Sequence, residues 1–413
     1  DRYYMYHLQN FLGNRFDRIQ AIIDNEHSQM NLYANLIGSA NYSFPSVLEA
    51  LNTPFNLNPS EGSRRKRYFP QCNSIDELEN IAESLLIELF QCKDYGANIE
   101  PYSGTQANHI VYQAILKNDD AVLVMRTSDG GHVSHYHYLK TFCNVYDYGV
   151  NKDEEIDYEE IERKCQIYHP KLVIAGASSY PRNIDYKKIS ALCKKYNAYL
   201  LADISHTVIY IMNQTHISPF DYADFVTFTT HKTTRGIRGG IILYKKEFES
   251  LINRATFPIV QGAPKFNELL AKTIMLCELK ELDIQKYVKK ILEISQFFSD
   301  TFTRNSIELY TKGTDSHLLL LNLRKHNLTG KYCEDMLLNQ HILTNRNQVP
   351  NDNFIASVAS GLRIGILTLA TLDMPQSEYS IIASIIAETI LKGKIIDTTT
   401  VSQIMKYYKI IDN

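Results

Sequence analysis

Short apolar runs recur through the middle of the chain, separated by longer stretches in which apolar and polar residues mix. The runs at 121–125, 172–175, 199–202, 225–229 and 240–244 are brief and rich in valine, isoleucine, leucine and aromatic residues, which predicts strands buried on both faces. The intervening stretches 76–92 and 186–196 read as helices. Alternation of the two from about residue 50 to 285 predicts an α/β domain with a mostly parallel sheet wrapped by helices. Outside this block the pattern changes. Leu8, Phe11, Leu12, Phe16, Ile19, Ile22 and Ile23 recur at roughly helical spacing, which predicts an N-terminal helical arm of the kind that packs on a partner and extends to about residue 45. The apolar stretch 318–321, the helix-like 331–339 and the apolar 379–391 predict a smaller α+β unit. The expected division is an arm at 1–50, a large α/β domain at 51–285 and a small C-terminal domain at 286–413.

Composition narrows the function classes. With 43 Lys and Arg against 46 Asp and Glu in 413 residues, there is no electrostatic footprint for nucleic acid and no sustained basic face for a membrane. No run approaches the roughly 20 apolar residues of a membrane span, so a soluble intracellular protein is expected. The seven cysteines are scattered singly, which argues against a disulfide framework or a structural zinc site and favours a reducing compartment. His132, His135 and His137 alternate, but no carboxylate or cysteine joins them at ligand spacing, so no metal is expected. No secretory signal is evident. The chain does not begin with Met, which leaves a presequence open.

Three segments carry candidate chemistry. Lys232 sits in a hydroxyl-rich turn, residues 229–240, between the apolar runs 225–229 and 240–244. That places its amine at the carboxyl end of a buried strand, where α/β proteins keep their ligands. An amine attacks a carbonyl only when unprotonated, and burial or a nearby cation such as Arg238 or His231 favours that state. A lysine that merely neutralises a loop fits the same spacing. Asp203 ends the run 199–202 at the same predicted edge, with His206 three residues later. There it would hold a pyridine nitrogen protonated, or simply cap the following turn. Ser103, Gly104 and Thr105 open a predicted helix, where free N–H groups, hydroxyls and the dipole favour a phosphate. An ordinary Ser/Thr cap has the same appearance.

Taken together, a phosphate cup, a strand-end Asp and a strand-end Lys in that order follow the logic of a fold-type I pyridoxal-phosphate enzyme. More particularly, the chain resembles the serine hydroxymethyltransferase (glycine hydroxymethyltransferase) family from about residue 30 to about 370. The resemblance is carried by 36–43, Glu61-Gly62, Lys66-Arg67-Tyr68, 103–108, Gly130-Gly131-His132, 169–176, 203–206 and 230–233. It continues through Phe257-Pro258, Gln261-Gly262, 313–315, 327–331, 349–352 and 360–365.

The resemblance implies a set of roles. Lys232 would carry pyridoxal 5'-phosphate, Asp203 would pair with its pyridine nitrogen, and His132 would lie against its ring. Ser103, Gly104 and Thr105 would hold the phosphate with Thr229 and His231 nearby, while Ser178 and His206 would lie near the ring hydroxyl. Arg363 would grip the substrate carboxylate and Ser39 would touch substrate. Gly131 and Asn347 would contact tetrahydrofolate, the co-substrate. Glu61, an acid near the substrate hydroxyl, would reach the site from the neighbouring subunit, and Gly262 and Ala263 would bring a backbone N–H to the partner's phosphate. A homodimer or a dimer of such dimers is therefore implied, in the cytoplasm or the mitochondrion.

Departures from the family pattern cluster on the substrate side. The family's Ala-Ser-Glu-Asn reads Gly38-Ser39-Ala40-Asn41, Tyr-Ala-Glu-Gly reads Pro59-Ser60-Glu61-Gly62, and Phe69 stands where a second tyrosine is usual. Asp129 replaces a histidine, Ala263 a glycine, and Thr127 an apolar residue of the pterin slot. Each lost buried donor costs about 1 to 3 kcal/mol, so an interconversion of serine and glycine slowed about 100-fold or more is expected. The alternatives are a degenerate homologue that serves as structural or regulatory partner of an active paralogue, and a folate-independent aldolase acting on β-hydroxy amino acids.

Overall fold

The structure, a computed structural model, describes residues 14–55 and 59–408. Its central sheet has seven strands: β1 (Tyr95–Asn98), β2 (Ala121–Met125), β3 (Asn144–Tyr148), β4 (Leu172–Ala175), β5 (Tyr199–Asp203), β6 (Phe225–Thr229) and β7 (Gly240–Lys245). They lie in the order β1-β7-β6-β5-β4-β2-β3. Neighbours run parallel except at β7, which is antiparallel to both β1 and β6. Every residue of β4 is buried and so are the first four of β6, as expected where helices cover both faces. The mostly parallel α/β sheet foreseen from the sequence is present. β1 was not foreseen because Tyr-Gly-Ala-Asn lacks branched residues, nor was β3, an edge strand whose residues are mostly only part-buried.

This topology gathers chain segments at one sheet edge. β5 and β6 are parallel, with Asp203 opposite Thr227, so both deliver their carboxyl ends there. β7 runs the other way and therefore begins there. β1, antiparallel to β7, also ends there, and Gly240 N donates to Pro101 O at 3.0 Å. Asp203, the Lys232 turn and the Ser103 loop are thus neighbours by strand direction alone, in the crevice beyond the carboxyl ends of the strands.

A second, antiparallel sheet is built from β8 (Glu308–Leu309), β9 (Leu318–Asn322), β10 (Asn345–Asn347) and β11 (Gly361–Gly365), in the order β8-β9-β11-β10. In β11, Leu362 and Ile364 are fully buried on one face, so the two-residue period sends Arg363 to the other. That face meets the carboxyl-end edge of the central sheet, where Arg363 reaches Ser178 O. Helix Ile284–Arg304 packs nine buried residues, Ile291, Ile294 and Phe298 among them, beneath this unit. Truncating one such isoleucine to alanine costs about 2 to 5 kcal/mol.

The N-terminal segment departs from expectation. Leu8, Phe11 and Leu12 lie outside the described residues. Helix Asn14–Leu32 ends well before 45, because Ala34 and Asn35 pair in parallel with Ile342 and Leu343. Main-chain bonds from Ala34 N to His341 O and from Leu36 N to Leu343 O hold the chain extended. Residues 36–44 then run past the Lys232 turn. Gly38 allows this close pass, since a Cβ there would lie 2.5 Å from Leu318 Cδ2 and 3.0 Å from Arg363 Nε. On the helix, Phe16 is buried, whereas Ile19 and Ile22 are exposed.

Candidate active site

Asp203 accepts four hydrogen bonds. Asn108 Nδ2 and His135 Nε2 donate to Oδ2, each at 2.9 Å, and Ser205 donates to Oδ1 through both its N–H at 3.1 Å and its hydroxyl at 2.6 Å. These donors are themselves oriented. Thr227 Oγ1 donates to Asn108 Oδ1 at 2.6 Å, which turns the amide N–H groups toward Asp203, and Ser205 Oγ accepts from Thr229 N at 3.1 Å. Burial pushes the Asp203 carboxyl up, but hydrogen bonds and charge from His135, with those from Ser205 and Asn108, hold it well below the ordinary range. It is a fixed anion.

Lys232 lies three residues beyond β6, 7% exposed, with Nζ 3.1 Å from His206 Nε2. Burial is the main force lowering its ammonium to about 8. Asp203 opposes that shift, and the positive charges of Arg363 and Arg238 add to it. The expectation that His231 would act as a cation is corrected: burial first, then Lys232 and Arg238, push His231 down to about 3, so it is neutral. His206 is likewise held well below its ordinary value by burial and by Lys232. The turn is fixed by Asn41 Nδ2 donating to Lys232 O at 2.8 Å and by Thr230 Oγ1 donating to Ile237 O at 2.7 Å.

Helix Gly104–Ile115 begins beside this pair, with Ser103 Oγ accepting from Gln106 N at 3.1 Å as its cap. A Cβ on Gly104 would meet Thr229 Cγ2 at 2.5 Å, so only glycine lets strand end and helix start approach. Thr229 Oγ1 and His231 Nδ1 are buried there without a hydrogen-bond partner. Arg238 donates toward His231 Nε2 at 3.4 Å, which leaves the ring proton of the neutral imidazole on Nδ1 as an unused donor. Two orphaned polar atoms beside a helix N-terminus and an arginine fit an anionic group.

These residues open on one cavity of about 730 Å³, whose walls include Ser39, Ser103, His132, Asp203, Lys232 and Arg363. Arg363 is anchored by Nε to Asn345 Oδ1 at 3.1 Å and by one terminal nitrogen to Ser178 O at 2.7 Å. Its remaining N–H groups are available to a carboxylate. His132 Nδ1 accepts from Ser134 N at 3.2 Å, and burial, then His135, lower its imidazole to about 4. Ser178, Gly131 and Asn347 line the same cavity, and Asn347 Nδ2 donates to Ser179 Oγ at 3.1 Å.

Other sequence candidates lie elsewhere in this chain. Glu61, Phe69, Gly262 and Ala263 do not line the cavity. Glu61 is in a turn whose main chain accepts from Tyr68 N at 2.9 Å, and its Oε2 is buried without a partner from this chain. Phe69 is 42% exposed. Ala263 O accepts from Tyr102 Oη at 2.6 Å. Of the departures, Thr127 reaches the cavity wall, whereas Asp129 is buried against Arg126 at 3.0 Å and does not line the cavity.

Asn108, His135 and Ser205, to which the sequence assigned no role, and Tyr210 and His317, which it did not mark, also belong to the site. Faint signals existed: Asn108 is one helical turn beyond Gly104, and Ser205 is two residues past Asp203. His317 and Tyr210 come together only through contact between the two sheets' surroundings.

The family model described as serine hydroxymethyltransferase matches residues 13–386. The chain is 36% identical over 385 residues to serine hydroxymethyltransferase 1 of Pseudomonas fluorescens (strain Pf0-1), a match that covers 92% of each chain.

Proposed function

The chain belongs to the serine hydroxymethyltransferase family, and on that premise we propose how its own residues perform the family's reaction. It interconverts serine and tetrahydrofolate with glycine and methylenetetrahydrofolate. The observation that carries the reading is the cavity in which a buried lysine amine, a fixed carboxylate and an anion cradle converge.

The residues fit pyridoxal 5'-phosphate. Lys232 would hold its aldehyde carbon, Asp203 its pyridine nitrogen, and Ser178 and His206 its ring hydroxyl, with His132 on the adjoining wall. Ser103, Gly104 and Thr105, with Thr229 and His231, would hold its phosphate, to which the orphaned Thr229 Oγ1 and His231 Nδ1 give partners. When bound, the group supplies an electron sink for bond cleavage at the amino acid's α-carbon.

The chain's residues do the rest. Lys232, with its ammonium lowered to about 8, presents a substantial neutral fraction at physiological pH. Asp203 stays ionised and keeps a proton on any ring nitrogen it faces. Arg363, already clamped on two sides, presents its free N–H groups to the substrate carboxylate, beside Ser39. Gly131 and Asn347 would contact folate.

A homodimer completes the site. Glu61 would move the proton of the substrate hydroxyl from the partner subunit, Phe69 would flank the substrate, and Gly262 and Ala263 would approach the partner's phosphate. Their position outside this chain's own cavity supports that reading, as do exposed Ile19 and Ile22 on the N-terminal helix. The frame of an arm at 1–50, a cofactor domain at 51–285 and a small domain at 286–413 places Ser39, Lys232 and Arg363 on three different parts. Among the described residues no helix is long and apolar enough to cross a membrane. The free cysteines support a reducing compartment, the cytosol or the mitochondrial matrix.

The test is chemical mapping. After incubation with pyridoxal phosphate and borohydride reduction, the mass label should sit on Lys232. A label confined to other lysines would overturn the assignment.

A further inference from the structure

His317 is a fully buried imidazole with no role in the reaction so far described. It immediately precedes β9, and all three of its nitrogen contacts are polar. Tyr210 Oη lies 3.0 Å from its Nδ1, while its Nε2 lies 3.1 Å from Gly38 O and 3.3 Å from His206 Nδ1. His206 Nε2 in turn contacts Lys232 Nζ at 3.1 Å. The His206 and His317 rings are nearly parallel, 19° apart.

Only one set of proton positions satisfies every contact. A carbonyl can only accept, so His317 Nε2 must carry a proton for Gly38 O. Nδ1 of a neutral ring is then an acceptor, and Tyr210 donates to it. The Nε2 proton of His317, shared between Gly38 O and His206, makes His206 Nδ1 an acceptor. The proton of neutral His206 therefore sits on Nε2 and points at Lys232 Nζ, which receives it only as a free amine. The protonation states agree with this. Burial, opposed by a backbone bond at Gly38, lowers His317 to about 3. Burial also keeps Tyr210 well above its ordinary value, so its hydroxyl remains a donor.

We propose that Tyr210 and His317 are positioning residues that fix the tautomer of His206, and that this orientation holds Lys232 as the neutral amine required to take up an aldehyde. Without His317, the His206 proton is free to move to Nδ1. His206 Nε2 would then accept from the lysine ammonium and stabilise the wrong charge state. The direction of a single proton at His206 thus sets whether the cavity favours or opposes a nucleophilic lysine. The inference rests on Lys232 as the cofactor-bearing amine.

The histidines, the tyrosine and the carboxylate that face the chain are held away from pH 8. Asp203, Arg363 and Arg238 surround Lys232. His132 and Arg363 face His206, His216 faces His317, and Tyr287 faces Tyr210. The histidines are lowered, the tyrosines raised, and Asp203 stays ionised. A pH profile near 8 therefore reports Lys232.

The experiment follows the rate of Lys232 acylation against pH in the full-length, cofactor-stripped protein, using an amine-reactive acetylating reagent and mass mapping. His317→Leu should raise the midpoint by about one pH unit and slow labelling at pH 7 about tenfold. His317→Gln keeps an N–H donor at the position of Nε2 and should retain a midpoint close to that of the unmodified protein. Tyr210→Phe should shift it upward by a smaller amount, and carries the test if His317→Leu fails to fold. An unmoved midpoint in the folded variants overturns the relay. So does a nitrogen-15 spectrum of labelled histidine that places the His206 proton on Nδ1. Failure of Lys232 to take pyridoxal phosphate in the unmodified protein would instead overturn the functional reading, independently of these midpoints.

Discussion

His135 Nε2 donates to Asp203 Oδ2 at 2.9 Å, so the imidazole that the sequence grouped with His132 and His137 serves the carboxylate at the end of β5. Asp203→Asn removes the charge while keeping the shape, and should lower turnover by about 100-fold or more. Its effect on acid stability has a definite sign. Because Asp203 is depressed in the folded protein, its contribution is complete above its unfolded value of about 3.9 and is lost as pH falls below it. Acid unfolding followed by circular dichroism should therefore fall less steeply with pH for Asp203→Asn than for the unmodified chain. A steeper fall would contradict this account of the carboxylate.

Lys232→Met should eliminate activity and raise the melting temperature of the cofactor-free protein. Burial lowers Lys232 to about 8, while the unfolded chain holds that proton to about 10.4. Unfolding thus binds a proton between these values, and stability rises with pH across that window. Below it the full penalty applies, about 3 kcal/mol, and methionine removes it. The gain should be larger at pH 7 than at pH 10. An equal gain at both pH values would mean that the lysine is not strained by burial.

Phe69 and Pro59 lack the hydroxyls of the tyrosines they replace in the family pattern. Pro59→Tyr with Phe69→Tyr should raise kcat by about 30-fold or more, each restored bond contributing about 1 to 3 kcal/mol at the transition state. Steady-state kinetics with serine and tetrahydrofolate checks this, and an unchanged kcat would show that other groups already fill those roles.

Shared sites make a further demand on Glu61 and Lys232. Lys232→Met and Glu61→Gln homodimers should each be inactive. Mixed and allowed to exchange subunits, they should recover about a quarter of the unmodified rate, because half of the dimers carry one intact site of two. No recovery after verified exchange would place Glu61 and Lys232 in the same subunit's site.

The central strands were readable because burial on both faces forces a continuous apolar run, as in Leu172–Ala175. Lys232 and Asp203 were readable because each follows or ends such a run, and Ser103 because it opens a helix with the small hydroxyl residues that suit a phosphate. β3 escaped notice because an edge strand keeps polar residues. His317 and Tyr210 escaped because their chemistry lies in three-dimensional proximity: 107 residues separate them along the chain, and neither has a local motif. Helix Asn14–Leu32 ended early for a similar reason, a strand pairing with Ile342 and Leu343 that helical periodicity cannot register.

The most direct measurement follows carbon. Serine labelled at its β-carbon is incubated with the pyridoxal-phosphate-loaded protein, with and without tetrahydrofolate, beside Lys232→Met. The prediction is that label passes to tetrahydrofolate and glycine accumulates in proportion, at a rate that needs both the folate and Lys232. Absence of transfer in the loaded protein, or glycine formed equally fast without folate, would contradict it.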